Sequence, residues 1–376
     1  MRGRRLHRQT AQSHTEFVYM IMRLRVPAAA LPFLLLPLLL PAHRQAHAQE
    51  APMPDASPVS NAPADEPVAD SGTVIHTRTN LVSLFFTAYG KNNQPVTNLH
   101  KQDCTLYEDR VAQTTKNFEQ MVNLPLSMGI LLDTSGSQQK VLPLEQQTGS
   151  AFLKRIMQPK DEAFVISFDV NVDLLADYTN NVAELERALN KAQINVGGGF
   201  GGGGIPGLGQ GPVSIQKPRG TLLYDAVYLA AHDKMHQEAG RKVLILLTDG
   251  EDMGSQENMN SALEAAQKSN VLIYVILLAD RAGYAQAGQL YGGDRAMSKM
   301  TEDTGGRVID VGTNGKKLEA AFQQIEDELR TQYQASYTPL DPAQDGSFRL
   351  INIKCEGAQK ILTRKGYYAV ADGSQE

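Results

Sequence analysis

The sequence predicts an α/β fold: a doubly wound, mostly parallel sheet flanked by a small β-sandwich. Three observations lead there. Short runs between 126 and 311 are apolar throughout rather than alternating, as in strands covered on both faces. Amphipathic stretches separate them, as crossover helices do. On both flanks the pattern changes to strand-like segments punctuated by turn residues.

Taken in order, residues 1–48 have the layout of a secretory signal peptide. Met22-Arg23-Leu24-Arg25 is a basic start, Val26 to Leu40 a leucine-rich run, and Ala46-His47-Ala48 an A-x-A cleavage pattern. Met20 and Met22 are alternative starts. The run is shorter than the roughly 20 residues of a membrane span, although an uncleaved anchor is the alternative. No cysteine lies near the cleavage point, which argues against a lipid anchor. Export, to the periplasm or outside the cell, is therefore expected. Residues 49–72, "QEAPMPDASPVSNAPADEPVADSG", have the Pro, Ala and acidic composition of a disordered linker.

Residues 73–122 read as β strands of the flanking sandwich. Leu81, Val82, Leu84, Phe85 and Phe86 mark one strand, "KNNQPV" a turn, and Glu108-Asp109-Arg110 the tip of a hairpin. The domain over 125–332 follows. Its predicted strands are 126–132, 163–169, 243–248, 271–278 and 307–311. Its predicted helices lie near 139–157, 181–193, 222–237, 257–268, 295–304 and 315–332. The Gly-rich stretch 197–212 cannot hold regular structure. It lacks the Gly-Lys-Ser/Thr end of a phosphate loop, so it is read as a flexible insertion. Residues 333–371 supply three further strands, "YQASYTPL", "FRLINIKCE" and "KILTRKGYYA", which complete the sandwich from the other end of the chain.

Composition narrows the function. The chain has 36 Lys and Arg against 41 Asp and Glu. Residues 1–48 hold 7 of the basic and 1 of the acidic residues, so cleavage leaves 29 against 40, a net of −11. A surface this acidic is a poor partner for nucleic acid or anionic lipid. Cys104 and Cys355 lack zinc-site spacing. Export permits a disulfide between them, and two separate buried thiols are the alternative.

The chemistry gathers at strand ends. "GILLDTSGS" is an apolar strand that stops in Asp133, with Ser135 and Ser137 at alternate positions. "VLILLTDGED" repeats the pattern, running into Asp249. Between them, Thr221 stands at the start of a predicted helix. In a doubly wound sheet, sites form outside the carboxyl ends of the strands. Five oxygen-bearing side chains converging there suit a hard cation such as Mg²⁺. Each also has a local reading: Asp133 and Asp249 as turn residues, and Ser135, Ser137 and Thr221 as helix caps.

The set Asp133-x-Ser135-x-Ser137, a distant Thr221 and a distant Asp249 resembles the metal-ion-dependent adhesion site of the von Willebrand factor type A (VWA) family. The resemblance spans about 125–332, just over half the chain. The flanking "PVTNLHKQD", "YEDR" and "RKGYYA" are similar to a bacterial, Acidobacteria-type group of exported VWA-related proteins. The resemblance implies that Ser135, Ser137 and Thr221 touch the metal directly, and that Asp133 and Asp249 act partly through water. It implies Mg²⁺, or Mn²⁺ or Ca²⁺, as cofactor. A carboxylate from a protein partner would then fill the open coordination position. Gln138-Gln139 departs from the acidic residues that hold further metals in some members. No catalytic residue is expected. A metal-dependent hydrolase or a purely structural metal are the alternatives. His232 and His236 lack the Glu of an H-E-x-x-H site, and Glu251 and Asp252 read as a solvated loop.

Overall fold

In the computed structural model, residues 81–121, 124–195 and 220–369 are described. The expected signal peptide and linker and the Gly-rich stretch lie outside them. The described residues fall within one compact unit, Val74–Glu376. Among them, no helix is long and apolar enough to cross a membrane.

The strands in chain order are β1 (Val82–Tyr89), β2 (Cys104–Glu108), β3 (Val111–Gln113), β4 (Thr115–Gln120), β5 (Leu126–Asp133), β6 (Glu162–Phe168), β7 (Val172–Thr179), β8 (Arg241–Thr248), β9 (Val271–Leu277), β10 (Val308–Asp310), β11 (Tyr333–Tyr337), β12 (Phe348–Cys355), β13 (Lys360–Thr363) and β14 (Gly366–Tyr368). The α-helices are α1 (Leu142–Ile156), α2 (Val182–Lys191), α3 (Leu223–Leu229), α4 (Met259–Lys268), α5 (Arg281–Gln286), α6 (Gly293–Thr304) and α7 (Gly315–Arg330).

The central sheet runs β10-β9-β8-β5-β6-β7. All neighbours are parallel except β6 and β7. Numbered within the domain this is 6-5-4-1-2-3, the order of a doubly wound fold. β5 is buried along its whole length because both of its faces are covered. Ile130 and Leu132 pack with Phe152 of α1 and Phe322 of α7 on one side. Leu131 packs with Val227 of α3 and Ala266 of α4 on the other. Each such side chain contributes about 1.5–3 kcal/mol by leaving water. Gly129 is demanded by the same packing, since a Cβ there would sit 2.4 Å from the Phe164 ring.

Two four-stranded sheets, β13-β1-β11-β4 and β14-β12-β2-β3, enclose a separate core of Leu84, Phe86, Leu106, Tyr333, Tyr337 and Ile353. Strands from both ends of the chain contribute to it. Cys104 and Cys355 face each other across β2 and β12 and are joined as a disulfide. Asp109 and Arg110, at the hairpin tip, both have positive φ (47° and 72°), as the tight turn between β2 and β3 requires.

Three expectations need correcting. The single strand expected from "KILTRKGYYA" is two: β13 pairs with β1 and β14 with β12, so the chain changes sheets at Arg364-Lys365. At the crossing, Gly366 leaves no room for a side chain, with a Cβ falling 2.2 Å from the Arg349 carbonyl. The helix expected over 222–237 is α-helical only to Leu229, and Ala230–Lys234 continue it as a π-helical turn. Finally, β7 and α5 were missed. β7 is a partly exposed antiparallel edge strand with charged residues, and α5 is six residues long with no buried face, so neither has a strong periodic signal.

Candidate metal centre

β5 is the strand at which the winding reverses, with β6 on one side and β8 on the other. The crevice at its carboxyl end is the position where doubly wound sheets bind ligands. Leu132 is paired with Leu247, so Asp133 emerges beside Thr248 and one residue from Asp249.

Asp133 is fully buried. Its Oδ1 accepts the Ser135 amide at 3.0 Å, and its Oδ2 accepts the Thr248 hydroxyl at 2.6 Å. Thr248 in turn accepts the Gly250 amide at 2.9 Å, which ties the two strand-end turns together. Ser135 Oγ and Ser137 Oγ stand 2.9 Å apart. Asp249, 1% exposed, accepts the Glu251 amide on Oδ1 at 3.2 Å. Its Oδ2 accepts the Tyr284 hydroxyl at 2.8 Å.

Thr221 is buried and joined to the loop after Asp249 by a pair of backbone hydrogen bonds with Met253, at 3.1 and 2.9 Å. No hydrogen bond joins the Thr221 side chain to the other four among the described residues. The local readings fare unevenly. Ser135 stands at the N-cap position of a 3₁₀ turn (Gly136–Lys140) but makes no side-chain capping bond. The cap position of α3 belongs to Leu222 rather than Thr221. Asp133 and Asp249 do form the turns expected of strand-end Asp, each through one oxygen only.

The glycines after Asp249 are structural. Gly250 has φ +82°, and a Cβ on it would meet Met297 at 2.8 Å. Gly293, opening α6, passes so close that a Cβ would lie 2.4 Å from the Asp249 carbonyl oxygen. Tyr291 donates to that same oxygen at 2.9 Å.

The site gathers buried carboxyl groups with no basic side chain paired to its two aspartates among the described residues. Burial first, and then the Asp249 charge, push the Asp133 carboxyl up to about 7, against hydrogen bonds from Ser135 and Thr248. Glu145 of α1, also fully buried, is held well above the usual carboxyl range by burial and then by Asp133 and Asp249. Neither of its oxygens has a hydrogen-bond partner among the described residues. Buried like charges are costly unless something positive joins them. Two carboxylates and neutral hydroxyls are hard oxygen donors of the kind Mg²⁺ takes, so the residues fit such an ion. No cluster of three or more His, Cys, Asp or Glu forms a metal site among the described residues. A cation here would have to use the hydroxyls.

Glu251, Asp252, His232 and His236 each take part in local hydrogen bonds. Glu251 Oε1 accepts the Gly293 amide at 2.8 Å. Asp252 accepts the Tyr224 amide at 3.2 Å. His232 bonds Asp233 and His236 bonds Ser269, on the π-helical turn and just beyond it. Thr248, Tyr284 and Glu145 are the site residues that the motif did not reveal. Only Thr248, inside "LLTDG", lay close enough in sequence to be noticed.

No protein-family model matches the chain, and no curated protein does. Solved structures do resemble it. The conserved hypothetical protein BatB from Bacteroides thetaiotaomicron shares 16% identity over 54% of this chain and 98% of its own, with a TM-score of 0.39. The vWF domain of the type V pili tip protein Mfa5 from Porphyromonas gingivalis shares 13% identity over 55% of this chain and 95% of its own, with a TM-score of 0.38. Proximal thread matrix protein 1 from the mussel byssus, solved with zinc occupying its MIDAS motif, shares 16% identity. There the match covers 59% of this chain and 50% of that one, with a TM-score of 0.43. Identities this low say nothing of activity. The chain's own sheet is doubly wound, with the Asp-x-Ser-x-Ser loop at the switch point and Asp249 just past the end of the neighbouring strand, the arrangement expected from the resemblance to the von Willebrand factor type A family.

Proposed function

We propose that this chain is an exported, non-enzymatic binding module. It holds a divalent cation, Mg²⁺ or else Mn²⁺ or Ca²⁺, through Asp133, Ser135, Ser137, Thr221 and Asp249, and uses it to capture an acidic group of a protein partner. One observation carries the reading: two buried carboxylates without a cationic partner stand beside two touching hydroxyls at the switch point of the sheet. Two carboxylates balance a divalent ion, and neutral hydroxyls leave it electrophilic. A bound ion would thus supply a position for a partner's carboxylate. The chain's own residues orient that position: Thr248 holds Asp133, and Tyr284 holds Asp249.

The test is thermal unfolding of the chain from residue 49 in EDTA and then with Mg²⁺ or Mn²⁺, for wild type and Asp249→Ala. Binding to the native state alone raises stability by about 2.7 kcal/mol at a hundredfold excess over Kd. A metal-dependent rise in wild type that is lost in the variant supports the site, and partner capture in metal against EDTA then tests its use. Equal curves with and without metal in wild type would overturn the reading.

A further inference from the structure

At the opposite end of the parallel strands, the amino end, lies a cavity of about 740 Å³ between the sandwich and the base of the α/β sheet. Its volume falls in the range of small-molecule sites. Lys242, the second residue of β8, and Arg364, at the crossing between β13 and β14, both line it. They come from elements far apart in sequence, so only the packing of the two layers makes the cavity.

Lys242 is 6% exposed, and its ammonium makes one hydrogen bond, to the Met235 carbonyl at 3.1 Å. An ammonium has three donors. Arg364 donates to the Ser83 carbonyl at 2.9 Å and to the Asn270 side chain, while its buried Nε has no partner among the described residues. Neither cation forms an ion pair within the described residues. Two carboxylates line the cavity. Asp341 stands 3.4 Å from Arg349 and so is engaged, and Glu238 makes no ion pair with Lys242. Burial pushes the Lys242 ammonium down to about 8, with Glu238 opposing and Arg364 adding to the effect. In a chain of net charge −5, a buried and a half-buried cation that repel each other are an arrangement that folding alone does not favour.

We propose that this cavity binds a small oxyanion, a carboxylate or phosphate group, held between Lys242 and Arg364. The free donors of Lys242 and the guanidinium of Arg364 supply charge-assisted hydrogen bonds. The amide side chains of Gln267 and Asn270, also in the lining, add neutral polar contacts. The site is distinct from the metal centre, which lies at the other ends of the same strands.

The experiment is calorimetric titration of the EDTA-treated chain from residue 49 with inorganic phosphate and, separately, with citrate, against chloride at matched ionic strength. Lys242→Met and Arg364→Gln are run beside wild type. Saturable binding of either anion in wild type, weakened at least tenfold in both variants, is the expected result. The phosphate and citrate arms show which oxyanion the site takes. The Mg²⁺-dependent rise in melting temperature should be the same in wild type and variants, so failure at the metal centre and failure here are distinguishable. In anion-free buffer, Lys242→Met should melt no lower than wild type, since it removes an unpaired buried charge. A large loss there would make Lys242 a structural prop of the π-helical turn and overturn the proposal. So would heats no greater than those of chloride in wild type, or unchanged affinity in both variants.

Discussion

Replacing Asp133 by Asn should stabilise the metal-free protein while removing its response to metal. The Asp133 carboxyl titrates at about 7 in the folded chain against an ordinary 3.8, with burial the main cause. A raised carboxyl means that the folded state binds its proton more tightly than the unfolded state does. The stability of this group is therefore intact below the ordinary value and lost as pH rises through the folded one. The gap, roughly three pH units, corresponds to a cost on the order of 4 kcal/mol above neutrality. Asn is neutral and nearly isosteric, so it removes that cost. It has one acceptor oxygen for two donors, the Ser135 amide and the Thr248 hydroxyl. One bond must go, at about 1–2 kcal/mol. The net expectation is a gain of about 2 kcal/mol near pH 8 in EDTA, shrinking as pH falls toward 4. Urea unfolding of both proteins across that range, with and without Mg²⁺, measures it. The metal should stabilise wild type only. An Asn variant less stable than wild type at pH 8 in EDTA would refute the argument, because it would mean that the buried charge is compensated by something other than a metal.

Two further expectations concern single contacts. Thr248→Val keeps the shape but removes the donor that orients Asp133, and should weaken Mg²⁺ binding by about 10- to 100-fold, read by metal titration with the fold checked by circular dichroism. Cys104→Ser with Cys355→Ser opens a link between residues 251 apart. Unfolding in urea should show a loss of up to about 5 kcal/mol on the chain-entropy account, with metal affinity unchanged, since the disulfide lies in the sandwich core.

Much of the fold was legible because its signals are local. A run such as "LSMGILL" is apolar at every position whatever it packs against, and a strand covered on both faces is what such a run can become. The two strand-end aspartates announced themselves for the same reason, each following its apolar run directly. The hairpin at Asp109-Arg110 and the strands of both flanks were likewise visible in turn residues. β7 and α5 were not, because a charged edge strand and an exposed six-residue helix bury too little to impose a period.

The sequence by itself thus determined the layered α/β class, since local patterning encodes it, and it marked the oxygen-bearing strand ends that carry Asp133 and Asp249. Only the tertiary structure decided which distant groups meet them. Tyr284 reaches Asp249 across 35 residues, and Thr248 reaches Asp133 across 115. Glu145 is buried near both carboxylates, and Lys242 and Arg364 share one cavity at the far end of the sheet. These meetings depend on strand order and layer packing. Both arise from long-range burial of apolar surface, which leaves no mark in the residues next to any one of them.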